Sequence, residues 1–277
     1  MQVPSLLKRA LTVYREGGGK KLAKHSWSYI KNNSYKIIGD RPYRLIHKRK
    51  YGKHAPDSYQ LIHIDPEKID YLLSRRFMTS YSPYASHIVG GDWDINTTQE
   101  RLMYVGEWEK WQKRVLIPFE KYEFYKSAKS HFDQGIQWKD TKIYKWFVIT
   151  ADRRPSTLNY SSESDIQEGL KQFDNLYHAI QKEGYQMQSE LQATARETDS
   201  GIFAVPPEHD EVWINIGRDG SFILEEGRHR VVISKILGLE SIPVRIFVRH
   251  KKWQQTRQNC FYTKSESANQ AHPDLIK

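Results

Sequence analysis

The pattern of apolar and polar positions is most regular in the last third of the chain. Apolar and polar residues alternate over 212–216, a turn with two glycines follows at 217–220, and residues 221–225 form a second run of strand-forming residues. This pattern predicts a β-hairpin. Apolar residues at helical spacing then extend from about 228 to Gly238, and residues 242–248 alternate once more. A helix and a final strand are therefore expected after the hairpin.

A longer helix is expected before the hairpin. Its apolar face consists of six residues at helical spacing, namely Ile166, Leu170, Phe173, Leu176, Tyr177 and Ile180. Ser164 and Gln167 fit a capping box at the start of this helix, and Gly184 fits its end.

The first half of the chain has a weaker pattern. Residues 59–64 predict a short strand, after which Asp65 can cap and Pro66 can open a helix over 66–72. Residues 75–160 hold five of the eight tryptophans and few strand patterns, so a mostly helical, aromatic-rich segment with loops is expected there. The polar residues after Gln258 are expected to form a frayed tail.

Composition adds a basic arm at the N-terminus. The 277 residues have a net charge of +10 and are 38% hydrophobic, which excludes a disordered chain. Residues 1–55 hold 14 Lys and Arg against 2 acidic residues, so the whole positive excess lies in this arm. Two short basic amphipathic helices are expected near 6–14 and 20–31. They could bind an anionic membrane surface, contact nucleic-acid phosphates, or dock on the protein itself.

Several classes of protein are excluded or disfavoured. Cys260 is the single cysteine, so an intramolecular disulfide and a cysteine-cluster metal site are both excluded. No apolar run approaches the roughly 18 residues of a membrane-spanning helix. The N-terminus also lacks the apolar stretch of a secretory signal. The expected location is the cytoplasm, with peripheral membrane attachment through the arm as one option.

The strongest local signal for chemistry follows the second hairpin strand. Gly227, Arg228, His229 and Arg230 lie where that strand meets a helix, directly after Glu225 and Glu226. A helix N-terminus has unpaired amide donors and attracts anions, and guanidinium groups match phosphate oxygens. Residues 227–230 are therefore candidates for binding phosphate or nucleotide. In the structural alternative, the two arginines only pair with the two glutamates.

The string VWINIGRDGSFILEEGRHRVVISKILGLESIPVRIFV at 212–248 resembles the core of the ParB/sulfiredoxin-like fold superfamily. Residues 61–70 and 174–191 resemble other segments of that core, and HIVGGDWD at 87–94 resembles archaeal ParB-like proteins with a basic arm. The resemblance implies an α+β fold with a small mixed sheet and flanking helices, interrupted by a mainly helical insertion. It divides the chain into five parts, which are the arm 1–55, core 56–74, insertion 75–160, core 161–255 and tail 256–277.

The same resemblance implies that residues 227–230 bind nucleotide or substrate phosphates. Members of the superfamily include nucleotide-hydrolysing partition proteins, sulfiredoxins and ADP-dependent free-serine kinases. Arg228 stands where sulfiredoxins have their catalytic cysteine, which argues against that activity. Only 27 residues follow His250, too few for the helix-turn-helix DNA-binding domain of partition proteins.

An acidic half-site is expected opposite the phosphate. Asp92 and Asp94 follow a Gly-Gly pair, and in an extended loop they would project to one side and share a Mg²⁺ ion with substrate phosphates. Asp92 is the candidate base or metal ligand, Asp94 a second metal ligand, and Glu226 a second catalytic carboxylate. In the structural alternative, Asp92 bonds to the backbone in a turn and Trp93 packs in the core.

The expected function is Mg²⁺-dependent phosphoryl transfer, by a small-molecule kinase or a nucleotide hydrolase. The nucleotide would be ATP, ADP or CTP, as the resemblance implies, and the acceptor a small molecule. The arm resembles leader segments of archaeal sugar-modifying enzymes, which suggests glycan or lipid-linked sugar metabolism. The alternative is a non-catalytic ParB-like scaffold, nucleotide-gated or nucleic-acid-binding, that uses the basic arm.

Overall fold

The computed structural model describes residues 40–103, 113–153, 160, 162–195, 206–263 and 272–275, together with Tyr14 and Gly19. The described residues form seven strands in one mixed sheet and seven α-helices, so the α+β prediction is confirmed. The two arm helices expected near 6–14 and 20–31 lie outside the described residues. Within the described part of the chain, no helix is both long and apolar enough to cross a membrane.

The strands are β1 (Leu61–Ile64), β2 (Ile69–Leu73), β3 (His87–Val89), β4 (Leu116–Pro118), β5 (Val212–Ile216), β6 (Phe222–Glu226) and β7 (Ile242–His250). Their order across the sheet is β1-β7-β5-β6-β2-β4, and β3 also pairs with β7. The first half of β7 pairs antiparallel with β1, and its last three residues pair parallel with β3. The long strand β7 is buried throughout and organises the sheet.

The α-helices are α1 (Arg41–Tyr51), α2 (Glu123–Gln134), α3 (Lys142–Arg153), α4 (Glu163–Glu183), α5 (Gln188–Ala195), α6 (Arg228–Ile236) and α7 (Lys251–Thr263). The larger core lies between one sheet face and helices α2, α3, α4 and α6. A smaller core contains Phe77, Trp93, Trp213 and Phe247. Because successive residues of a strand face opposite sides, Trp213 and Ile214 of β5 belong to different cores.

The helix expected over 66–72 is wrong. Asp65 does accept a hydrogen bond from the Glu67 amide at 2.9 Å, but only one 3₁₀ turn follows. The chain then continues as β2, which inserts between β6 and β4. Leu72 and Leu73 are almost completely buried, as in an interior strand, and such strands have continuous apolar runs that resemble a buried helix.

The segment 75–160 is only partly helical. Helices α2 and α3 fit the prediction, whereas the stretch before them contributes β3 and β4 to the main sheet. Each of these strands has three residues, too few to produce a recognisable alternation. This segment therefore contributes two hydrogen-bonded strands to the main sheet. The division of the chain into five parts stays a prediction.

Several element ends also differ from the sequence-based expectations. The cap of α4 is Ser162, whose hydroxyl accepts a hydrogen bond from the Asp165 amide at 3.1 Å, so the capping box at Ser164 is wrong by two residues. Gly184 ends α4 as expected. The hairpin, the following helix and the last strand are confirmed.

The tail returns to the fold after α7. Residues 272–275 pack on the protein, and Asp274 is 3% exposed and pairs with Arg249. The expectation of a frayed tail is therefore wrong for these four residues. The ion pair with a β7 arginine explains their docking, and that distant partner could not be found from the local sequence.

Candidate functional site

Gly227 makes the sharp junction between β6 and α6. Its φ is +86°, in the left-handed region, and it caps the nine-residue helix α6. A Cβ added at this position would lie 2.9 Å from Val212 Cγ2 and 3.0 Å from the Val212 Cα. Only glycine combines this φ with such a close backbone approach. The junction therefore presents the first amides of α6 at the end of the hairpin.

A cavity of about 370 Å³ opens at this helix start, and we call it the α6 cavity. Its lining residues are Leu176, Gln188, Glu226, Gly227, Arg228, His229 and Arg230. All four residues expected to bind phosphate and the catalytic candidate Glu226 thus lie at one cavity. Unpaired amides and the positive end of the helix dipole make it suited to an anion.

The carboxylate of Glu226 lies between two arginines. One of its oxygens accepts a hydrogen bond from Arg76, and the other lies 3.8 Å from Arg228 Nη1. The side chain of Glu226 is 32% exposed, so it remains accessible from the α6 cavity. Arg228 therefore does pair with Glu226, as the structural alternative predicted. Both residues of this pair nevertheless line the α6 cavity.

Arg230 has a different partner from the one expected. Its Nη1 donates to Glu211 Oε2 and to the Tyr185 hydroxyl, both at 3.1 Å, and its Nη2 donates to the carbonyl oxygen of Asp210. Glu211 is 1% exposed, and burial raises the pKa of its carboxyl group. Arg230 therefore lines the α6 cavity with a side chain that its hydrogen bonds hold in place, and its charge is paired with that of Glu211.

His229 contributes an aromatic ring more than a charge. The ring centroids of Phe124 and Phe173 lie 5.2 and 5.3 Å from its own. Burial lowers the pKa of His229 to about 3, with a smaller effect from the neighbouring arginines. The imidazole is therefore neutral near pH 7. The positive charge at the α6 cavity comes from the arginines and from the helix start.

Glu225 faces away from the α6 cavity. Its carboxylate is buried and accepts hydrogen bonds from the Met78 amide and the Asn215 side chain, each at 2.7 Å. Burial raises the pKa of Glu225 in spite of these donors. Glu225 joins the turn at Phe77–Thr79 to the hairpin, which is a structural role.

The predicted acidic half-site lies around Arg218, and we call Gly91, Asp92, Asp94 and Arg218 the Arg218 cluster. Arg218 Nη2 donates to Asp94 Oδ1 at 2.7 Å, to Asp92 Oδ1 at 2.8 Å and to the Gly91 carbonyl at 2.9 Å. The hydrogen bond from Arg218 lowers the pKa of Asp92, and the carboxylates in turn raise the pKa of Arg218. The side chain of Asp94 is fully buried.

The Arg218 cluster and segment 227–230 lie at opposite ends of the β5–β6 hairpin. Arg218 is in the turn, whereas Gly227 is at the open end, beside Val212. The five residues of β6 separate them by about 16 Å. The structure therefore does not bring Asp92 or Asp94 to the expected phosphate. The cause is the pairing of β3 with the end of β7, which carries the following loop to the hairpin turn.

Asp92 and Asp94 do not fit a shared Mg²⁺ site, because the Arg218 guanidinium already bonds to both carboxylates. Across the part of the chain that the structure describes, no three His, Cys, Asp or Glu residues are grouped to hold a metal ion. Glu226 is the one carboxylate among the described residues lining the α6 cavity. Among these lining residues, Glu226 is therefore the only carboxylate to be tested as a Mg²⁺ ligand.

Arg249 and His250 do not reach the α6 cavity either. Arg249 Nε donates to Asp274 Oδ2 at 3.0 Å, and His250 Nε2 donates to the Gly91 carbonyl at 2.8 Å. Nearby, His87 is buried against Ser82, and burial lowers its pKa to about 4. Of these residues, His250 supports the loop of the Arg218 cluster, through the Gly91 carbonyl.

Sequence reasoning missed three residues around the α6 cavity. Gln188 lines the cavity, Arg76 pairs with Glu226, and Glu211 pairs with Arg230. All three lie far from segment 227–230 in the chain. Glu211 did carry a signal, because it immediately precedes β5 and therefore lies at the same hairpin end as Gly227. Arg76 and Gln188 had no comparable signal.

Comparisons with protein-family models, with curated proteins and with solved structures found no match for this chain. The ParB/sulfiredoxin-like resemblance therefore stays a prediction that depends on the motif at 212–248.

Proposed function

We propose that this chain binds the phosphate of a nucleotide in the α6 cavity and transfers or hydrolyses a phosphoryl group there. The observation that carries the proposal is the cavity of about 370 Å³ at the start of α6, lined by Glu226 and segment 227–230. ATP, ADP or CTP is the nucleotide that the family resemblance favours.

The walls supply the interactions that phosphate oxygens need. The first turn of α6 lines the cavity, and a helix start offers amide donors to an anion. Arg228 also lines it, and a guanidinium group can donate two parallel hydrogen bonds to phosphate. The neutral ring of His229 can donate one further N–H bond without adding charge. Arg230, held by Glu211, keeps this wall in place.

Glu226 is the candidate catalytic group. It would accept the proton of an acceptor hydroxyl or water as that oxygen forms a bond to phosphorus and the bond to the nucleotide leaving group breaks. Arg76 and Arg228 hold its carboxylate in position. Because Glu226 is already paired with Arg76, it does not fit as a Mg²⁺ ligand, and Mg²⁺ carried by the nucleotide would be held by the phosphates and would neutralise their charge. Asp92 has no part in this proposal because it lies at the other end of the hairpin.

Thermal-shift measurements with ATP, ADP and CTP, each with and without Mg²⁺, test the proposal. We expect at least one nucleotide to raise the melting temperature of the native chain and to lose this effect in Arg228→Gln. The matched control is Arg153→Gln, which removes the same charge from an exposed site on α3. An equal shift in Arg228→Gln, or no shift for any nucleotide with the native chain, would contradict the proposal.

The α1 surface supports a second function, attachment to an anionic membrane surface. Leu45 and Ile46 are 69% and 62% exposed, although both are aliphatic. Five basic residues of the same helix are exposed around them, namely Arg41, Arg44, Lys48, Arg49 and Lys50. Exposed aliphatic groups next to cations suit a lipid surface better than nucleic acid, where base and phosphate contacts are polar.

Vesicle flotation tests this second function. We expect the chain to float with vesicles of phosphatidylcholine and phosphatidylserine, but not with phosphatidylcholine alone, because each cation near an anionic surface adds about 1 kcal/mol. The double change Leu45→Ser and Ile46→Ser keeps the charge and should weaken flotation. Undiminished flotation in that variant, or binding only to a DNA or RNA duplex, would contradict attachment through α1.

A further inference from the structure

A second, smaller cavity adjoins the α6 cavity. It has a volume of about 80 Å³, and we call it the apolar cavity. Leu176, Gln188 and Arg230 line both cavities, so the two spaces share one wall. The apolar cavity is bordered further by Ala179, Ile180, Tyr185 and Leu191, from helices α4 and α5 and the turn between them.

Several polar groups around the apolar cavity are paired with one another. Tyr185 donates its hydroxyl proton to Glu211 at 3.0 Å, and the backbone N–H of Gln188 donates to the same carboxylate at 2.6 Å. Arg230 donates to Glu211 and to Tyr185. Glu183 and Gln186, which also line the cavity, pair with each other at 3.4 Å. A group that enters the apolar cavity would therefore gain most by burying apolar surface.

Glu211 connects the three elements that form this wall. Through its hydrogen bonds it joins the start of α5, the turn that carries Tyr185, and α6. Because Glu211 is buried and charged, these partners are bound to it more strongly than neutral groups would be. The relative position of the two cavities is therefore set by one buried carboxylate.

We propose that the ligand of this chain is an organic phosphate whose phosphate lies in the α6 cavity and whose compact apolar substituent lies in the apolar cavity. This inference rests on the proposed function and adds the substrate class. A cavity of about 80 Å³ has space for two to three waters at about 30 Å³ each, which corresponds to a short alkyl group. A short branched alkyl chain is a substituent of this kind.

Titration calorimetry with inorganic phosphate and isopropyl phosphate tests the inference. Isopropyl phosphate should bind the native chain about tenfold or more tightly, because its alkyl group is removed from water. Ala179→Phe, at an exposed position on the rim, should reduce isopropyl phosphate affinity to that of inorganic phosphate and leave the latter unchanged. Asn175→Phe, an added ring on an exposed part of α4 outside both cavities, should change neither.

The outcomes separate the two proposals. If neither inorganic phosphate nor isopropyl phosphate binds the native chain while a nucleotide raises its melting temperature, only this inference is overturned. If no nucleotide raises the melting temperature either, the proposed function is overturned with it. If both phosphates bind equally, or if Ala179→Phe retains the tenfold preference while folding normally by circular dichroism, only the inference about the apolar substituent is overturned. Loss of isopropyl phosphate selectivity in Ala179→Phe alone would support it.

Discussion

The two ends of the β5–β6 hairpin both carry glycines, acids and arginines, but they differ in how the charges are used. At the turn, one guanidinium group bonds to both carboxylates of the Arg218 cluster and to a carbonyl oxygen. At the open end, Arg228 and Glu226 are 3.8 Å apart and line a cavity of about 370 Å³. A charged motif indicates a binding site only where the fold leaves its groups facing space.

This difference in exposure suggests that the Arg218 cluster contributes to stability, whereas the open end of the hairpin contributes to ligand binding. The Arg218 cluster contains a fully buried carboxylate, so its hydrogen bonds compensate a desolvation cost inside the fold. The open end includes Arg230 with its buried partner, but Glu226 and Arg228 remain partly exposed. We therefore expect changes in the Arg218 cluster to alter the free energy of unfolding, and changes at Arg228 to alter mainly ligand binding.

The largest effect is expected from Asp94→Ala. This change removes a buried carboxylate and leaves Arg218 without its main partner, so the free energy of unfolding should fall by about 3 kcal/mol. Urea denaturation measures the change. Asp92→Ala is the matched control, since the Asp92 side chain is 69% exposed and its loss should have little effect. Equal destabilisation by Asp94→Ala and Asp92→Ala would show that the burial of Asp94 does not determine its contribution to stability.

Gly227→Ala should cost about 2 kcal/mol of unfolding free energy, because alanine is strained at a φ of +86° and its Cβ would approach Val212. Gly238→Ala offers a comparison, since Gly238 has a φ of +62° with open space around it. Its cost should be smaller, about 1 kcal/mol, from backbone strain alone. If Gly238→Ala were the more harmful in denaturant melts, the close approach at Gly227 would not be the cause.

Acid should destabilise the open end through His229. Its pKa is about 3 in the folded chain and 6.5 when unfolded, so the unfolded state binds more protons between these values. Stability is therefore lost as the pH falls from 6.5 toward 3. Between pH 6.5 and 5, the native chain should lose about 1 to 2 kcal/mol more than His229→Gln. If thermal melts show the same pH dependence of stability for the native chain and for His229→Gln, His229 is not a buried neutral imidazole in the folded chain.

Arg245 differs from both of these regions. It is fully buried and its Nε donates to the Ser58 carbonyl at 2.5 Å, but its Nη1 and Nη2 have no hydrogen-bond partner among the described residues. Burial lowers its pKa to about 10, and the Trp213 ring, 4.6 Å away, compensates only part of the cost. Arg245→Met should therefore raise the free energy of unfolding by about 1 kcal/mol. The control Arg249→Met should lower it, since the buried Asp274 would lose its bidentate partner and keep only Trp253 and the more distant Arg257. Destabilisation by both changes would show that Arg245 contributes to stability.

Local patterns predicted the hairpin, α6, the end of α4 and the last strand. In the hairpin and the helices the hydrogen-bonding partners lie within a few residues or on the next strand, so periodicity and glycine positions carry the information. The partners of β7 are distant, but its nine residues are enough for its pattern to be recognised. The failures concern elements whose form depends on distant partners. β2 is a strand because β4 and β6 lie on either side of it, and β3 and β4 are too short to form a recognisable pattern.

For the candidate site, the sequence by itself determined that residues 227–230 lie at a helix start with cations and a glycine, because a strand-to-helix junction is local. Only the tertiary structure decided which acids face that helix. Asp92 and Asp94 lie at the opposite end of the hairpin, while Arg76, Gln188 and Glu211 lie around the open end. The physical reason is that electrostatic partners are chosen by sheet order and strand register, which arise from contacts between residues far apart in the chain.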